Sequence, residues 1–137
     1  MRPAALGSLL AGLLVVLGCG GIKAPDLFIV KRSGTGPHAQ LTMLVNEEGG
    51  IRCNGGSELK LSDSQIVKAR AIQEELQDPA SKHLALPAQP GSVLAYSVRD
   101  QDGTVTFADD SRAQPKVLRS LALFVLEAAQ QVCRLPE

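Results

Sequence analysis

Residues 94–133 read LAYSVRDQDGTVTFADDSRAQPKVLRSLALFVLEAAQQVC, and two periodicities in that stretch decide the fold class. Leu94, Tyr96 and Val98 alternate with Ala95, Ser97 and Arg99, the period of a strand with one buried face. Asp100-Gln101-Asp102-Gly103 makes a turn, and Val105 and Phe107 share one face of the return strand. Asp109-Asp110-Ser111 ends that strand. Pro115 suits the first turn of a helix, where its missing N–H costs nothing. From Pro115 to Cys133 the spacing is helical. Leu118, Leu121, Ala122, Val125, Ala129 and Val132 form the main apolar stripe, widened by Val117, Phe124, Leu126 and Ala128. Leu123 alone falls among the polar positions.

The preceding segment reads the same way. Leu27–Arg32 is a β-branched and aromatic first strand, followed by the Ser33–Pro37 loop. Gln40–Asn46 alternates as a second strand, Glu47–Gly50 turns, and Ile51–Cys53 returns before Asn54-Gly55-Gly56. Ser62 and Gln65 form a capping box for a helix whose Ile66, Ala69, Ile72 and Leu76 share one face. Asp78-Pro79 is expected to stop it. Residues Ala80–Gly91, with Pro87 and Pro90, are expected to form a long exposed connection. The order β-ββ-α-ββ-α predicts an α+β domain over residues 27–137. Its antiparallel sheet has about four to five strands, with two helices packed on one face.

The first nineteen residues are an address. Arg2 is a short positive region, Ala4–Leu17 is apolar apart from Gly7, Ser8 and Gly12, and small residues follow. The run is shorter than the roughly 20 apolar residues of a spanning helix. Val16-Leu17-Gly18-Cys19 resembles the lipobox of bacterial lipoproteins. That resemblance implies a signal peptide over residues 1–18, cleavage before Cys19, and acylation of Cys19 with diacylglyceryl and a further fatty chain such as palmitate. Residues 19–26 then form the lipidated Cys and a short tether on the extracytoplasmic side of the bacterial cell membrane. An ordinary secretory signal cut near Gly18–Gly21 and an uncleaved anchor are the competing readings.

Three cysteines are present. With Cys19 set aside as the lipid site, Cys53 and Cys133 remain, an even count in an oxidising compartment. A disulfide between them is the economical expectation; two buried free thiols are the alternative.

Composition excludes several functions. Fourteen basic and fourteen acidic residues give zero net charge, which argues against nucleic-acid binding. Three Phe, one Tyr and no Trp leave no stacking platform for bases. Hydrolytic catalysis wants a nucleophile beside a base, and only His38 and His83 are available, each in a Pro- or Gly-flanked loop. Asp100, Asp102, Asp109 and Asp110 lack the spacing of an EF-hand loop and read as turn formers and as anions before a helix. No glycine-rich segment is followed by Gly-Lys-Ser/Thr. The chain is therefore read as a non-enzyme with no cofactor and no metal. Its membrane contact is through lipid, and a protein partner is expected. The candidate binding loop is Arg32, Ser33, Gly34, Thr35, Gly36, Pro37 and His38.

The stretch Phe28–Gly34, the helix around Leu61–Leu76, and the segments Tyr96–Asp110 and Leu118–Leu126 together resemble emfourin. Emfourins are small bacterial inhibitors of thermolysin-like metalloproteases. The shared cues are an initial strand ending in Arg32-Ser33-Gly34, a capped helix, a hairpin and a Leu-rich last helix. The chain departs from that pattern in the insert Glu47–Gly56, the cysteine pair and the leader. The resemblance implies an inhibitor at the cell surface or in the periplasm, with an extracellular protease as partner. Three readings follow: an anchored binding module, an emfourin-like inhibitor and a small hydrolase.

Overall fold

The computed structural model describes residues 25–136. The leader and Cys19 lie outside the described residues. In chain order the elements are β1 (Asp26–Gly34), β2 (Leu41–Asn46), β3 (Gly50–Cys53), β4 (Leu59–Lys60), α1 (Asp63–Ser81), β5 (Leu94–Arg99), β6 (Thr104–Ala108) and α2 (Lys116–Gln131). The fold is α+β, as expected. Its antiparallel sheet has six strands, ordered β4-β3-β2-β1-β5-β6, rather than four or five. The added strand is β4, which pairs only through Gly50↔Lys60 and Ile51↔Leu59. Two residues are too few for alternation to be visible in sequence.

Register sorts the side chains into two faces, because directly paired residues share a face. Cys53, Met43, Val30, Val98 and Val105 form one row across five strands. Leu41, Arg32, Tyr96 and Phe107 form the next row. Met43, Val30, Val98 and Val105 are almost fully buried. The register shifts between Asp26 and Phe28, and this bulge lets consecutive Leu27 and Phe28 both turn inward.

The helices cover that face. α1 begins at Ser62, whose side chain accepts from the Gln65 backbone N–H while the Gln65 side chain accepts from the Ser62 N–H. It buries Ala69, Ile72, Leu76 and Ala80. Gly49 has φ +81, a conformation that favours glycine, and a Cβ there would force the Ile66 side chain of α1 to shift. α1 does not end before Pro79: it continues to Ser81 with Pro79 inside its last turn. A proline there removes one N–H bond near a terminus, and the buried Ala80 holds the final residues in place.

α2 runs antiparallel to α1, with Gln65 bonded to Gln131 and Lys68 to Glu127. Phe28 meets Phe124 edge-on, with centroids 6.0 Å apart. Leu123 is exposed, as its position predicts, but Leu126 is also 42% exposed, so the buried arc is narrower than the sequence suggests. Pro115 is the residue before the helix rather than its first member.

The connection after α1 is not a free excursion. Leu86 N–H donates to Thr106 and Thr106 N–H to Leu84, so the chain runs parallel beside β6 with a bridge at Ala85↔Thr106. Leu84 and Leu86 pack against the core. Local Pro content gave no sign of this pairing, which depends on a strand edge distant in sequence. Both sheet edges are thereby blunted, one by the two-residue β4 and the other by residues 84–86.

Cys53 and Cys133 are joined by a disulfide, with Cα atoms 6.3 Å apart across 80 sequence positions. The bridge ties the end of β3 to the chain just beyond α2. Closing a loop of that length removes chain entropy from the unfolded state, worth up to about 4–5 kcal/mol. Replacing both cysteines by alanine is expected to leave the fold intact, because the buried rows remain. Stability in urea should fall by about 2–5 kcal/mol. An unchanged midpoint would show that the bridge constrains nothing.

Candidate functional site

The face away from the helices carries a different residue set. Its rows are Arg52, Leu44, Ile29, Arg99 and Thr104, then Thr42, Lys31, Ser97 and Thr106, then Ser33 and Ala95. These are the alternate positions of the same strands, and five of the eleven are serine or threonine. Antiparallel sheets often leave one face open in this way. Here the short side chains create a recess of about 590 Å³ over Lys31, Ser33, Thr42, Ala95, Ser97 and Thr106. A smaller hollow of about 160 Å³ continues it over Ile29, Lys31, Ser97, Arg99 and Thr104.

The walls are built by side chains that tie loops to strand ends. On the β6 side, the segment bearing Leu86 and Ala88 borders the recess beside Thr106. The buried Ser111 hydroxyl accepts from Ala108 N–H at 2.9 Å and donates to the Pro87 carbonyl at 2.9 Å. The Asp110 carboxylate accepts from Gln89 N–H. Asp109 accepts from the Ser92 hydroxyl and from the N–H groups of Val93 and Leu94. This aspartate pair therefore fixes the wall. Asp100 accepts from Asp102 and Gly103 N–H, closing the β5–β6 turn as expected. On the opposite side, Thr42 N–H donates to the Asn54 side chain and Asn54 N–H returns to the Thr42 carbonyl.

The expected binding loop is divided by the structure. Arg32, Ser33 and Gly34 are not loop residues; they end β1, paired with Tyr96, Ala95 and Leu94. Ser-Gly reads locally as a turn, but pairing with β5 overrides it. Arg32 donates from Nε to the Ala39 carbonyl at 3.0 Å and from Nη2 to the His38 carbonyl at 3.1 Å, so its guanidinium shapes the following turn. A Cβ on Gly34 would collide with the Val93 carbonyl. Thr35, Gly36, Pro37 and His38 form the exposed turn, closed by Ala39 N–H to the Gly36 carbonyl. Arg32 and Ser33 border the recess, whereas residues 35–38 do not. The binding-loop reading missed Lys31, Thr42, Ala95, Ser97 and Thr106. Strand alternation marked most of them as outward positions, and only register reveals that they share one floor.

His38 lies in the β1–β2 turn and His83 against Gly103 in the β5–β6 turn, at opposite ends of the sheet. Among the described residues no three His, Cys, Asp or Glu side chains come together as a metal site. No helix of the described residues is long and apolar enough to cross a membrane. The chain matches no protein-family model and no characterised protein.

Tyr96 stacks on Phe107, with ring centroids 4.8 Å apart and nearly parallel. Burial pushes its phenol above the ordinary 10.0; the Arg32 charge pulls it down and Asp109 pushes it up. The folded state therefore holds the neutral phenol more firmly than the unfolded chain does. That contribution to stability is complete below pH 10 and is lost as pH rises through the folded value. Tyr96 is the sole tyrosine, so tyrosinate absorbance reads it alone. The native titration midpoint is expected above 10.0, returning to about 10 in denaturant. A native midpoint at or below 10 would contradict the burial argument.

Proposed function

We propose that this chain is a lipid-anchored protein of the bacterial cell envelope, and that its domain is a non-catalytic binding module. One observation carries the reading: the partition of three cysteines. Cys53 and Cys133 are consumed by a bridge of the kind favoured in oxidising compartments. Cys19 is the one left over, and it stands at the end of the apolar leader in the sequence Val16-Leu17-Gly18-Cys19. Two or more acyl chains on that cysteine would anchor the protein stably, at about 0.8 kcal/mol per buried CH₂.

The geometry suits a presented domain. The Pro25 carbonyl already accepts from Glu47 N–H, and β1 starts at Asp26, so few residues separate Cys19 from the fold. The tether joins the sheet at the end bearing the β2–β3 and β5–β6 turns. Ser33 lies roughly 23 Å further along β1, at about 3.3 Å per residue. The broad end of the recess is therefore held away from the point of attachment.

An emfourin-like inhibitor is the second reading, favoured by the turn that follows Arg32-Ser33-Gly34 at the end of β1 opposite the tether. It predicts tight, saturable inhibition of a thermolysin-like metalloprotease by the mature chain.

Cys19→Ser should move the protein from the membrane fraction to the soluble extracytoplasmic fraction and abolish palmitate incorporation. Unchanged membrane extraction of the Cys19→Ser protein would sink the anchoring reading.

A further inference from the structure

We propose that the open sheet face binds an acidic, extended polypeptide segment of an envelope partner. Carboxylates of that segment meet Lys31 and Arg99, and its backbone lies along the short side chains of β1, β5 and β6. This rests on the reading of the domain as a binding module and supplies the chemistry of its partner.

Charge is the first argument. Lys31 pairs with Ser97, and Arg99 is two residues further along β5, so the two cations are diagonal neighbours on one face. Neither makes an ion pair among the described residues; the salt bridges there use Arg52, Lys60, Lys68 and Lys82. No Asp or Glu lines either hollow. Like charges placed side by side on a sheet repel, and a carboxylate between them would relieve that repulsion. Ser33, Ser97 and Thr104 add hydroxyl donors along the same line.

Shape is the second argument. The hollows meet at Lys31 and Ser97 and make one trough, bordered on the β6 side by Leu86 and Ala88 and on the other by Gln40 and Asn54. A chain segment can enter between those walls. The blunted edges, β4 on one side and residues 84–86 on the other, disfavour capture of the segment as an added strand.

The test uses the mature chain from residue 19 with Cys19→Ser, which retains every described element and the disulfide. It is titrated with a fluorescent alternating Glu-Ala peptide of about ten residues, with the matching Gln-Ala peptide, and with phosphatidylglycerol vesicles. The Glu peptide is expected to bind saturably and the Gln peptide about ten-fold more weakly. The Lys31→Gln/Arg99→Gln pair should weaken Glu-peptide binding about ten-fold at an unchanged melting temperature. Lys116→Gln/Arg119→Gln on α2 should leave it within about two-fold. Absent binding, equal loss in both pairs, or capture by vesicles without capture of the peptide would overturn the proposal. Because the assay uses unlipidated protein, its failure leaves anchoring standing, and a failure of anchoring leaves the assay's result intact.

Discussion

Everything in this molecule depends on one-sided burial of a strongly alternating sheet. The row Cys53–Met43–Val30–Val98–Val105 crosses five strands and supplies a continuous apolar surface. Each large side chain in it contributes about 1.5–3 kcal/mol when taken out of water. Slipping any strand by one residue would carry its apolar set to the other face, so the row also fixes register. The two helices exist as packed elements because this surface needs covering. α2, with its apolar arc, takes the larger share.

The same constraint creates the open face. Alternation that sends Val30, Val98 and Val105 inward sends Lys31, Ser97 and Thr106 outward in register with them. Ser97 and Thr106 are small and leave a trough rather than a filled layer. The loops that wall it are fixed by buried or shared polar groups, Ser111 and Asp110 among them, not by apolar packing alone. The disulfide holds the end of β3 to the chain just beyond α2. The core thus lies on one side of the sheet and the exposed polar side chains on the other.

Much of this was legible in the sequence because it is local and periodic. The capping box at Ser62, the turns at Gly49 and Asp100 and both hairpins follow from residue spacing, and the bridged pair Cys53–Cys133 from the cysteine count once Cys19 is set aside. What was not legible depends on partners distant in the chain. β4 exists through its pairing with Gly50 and Ile51. Ser33 and Gly34 extend β1 because Leu94 and Ala95 lie beside them. Residues 84–86 are ordered by Thr106, against a local composition that reads as a loop. The candidate surface was hidden for the same reason. Its residues come from β1, β2, β5 and β6, and no single segment shows them together.

The central claim is that binding belongs to the open face and stability to the helix-covered one. Backbone amide shift mapping during titration with the acidic peptide tests this most directly. The account predicts perturbations concentrated at Lys31, Ser33, Ser97, Arg99 and Thr106, with the α1–α2 surface around Leu123 and Glu127 quiet. Shifts concentrated on the helices, or confined to the turn Thr35–His38, would contradict it.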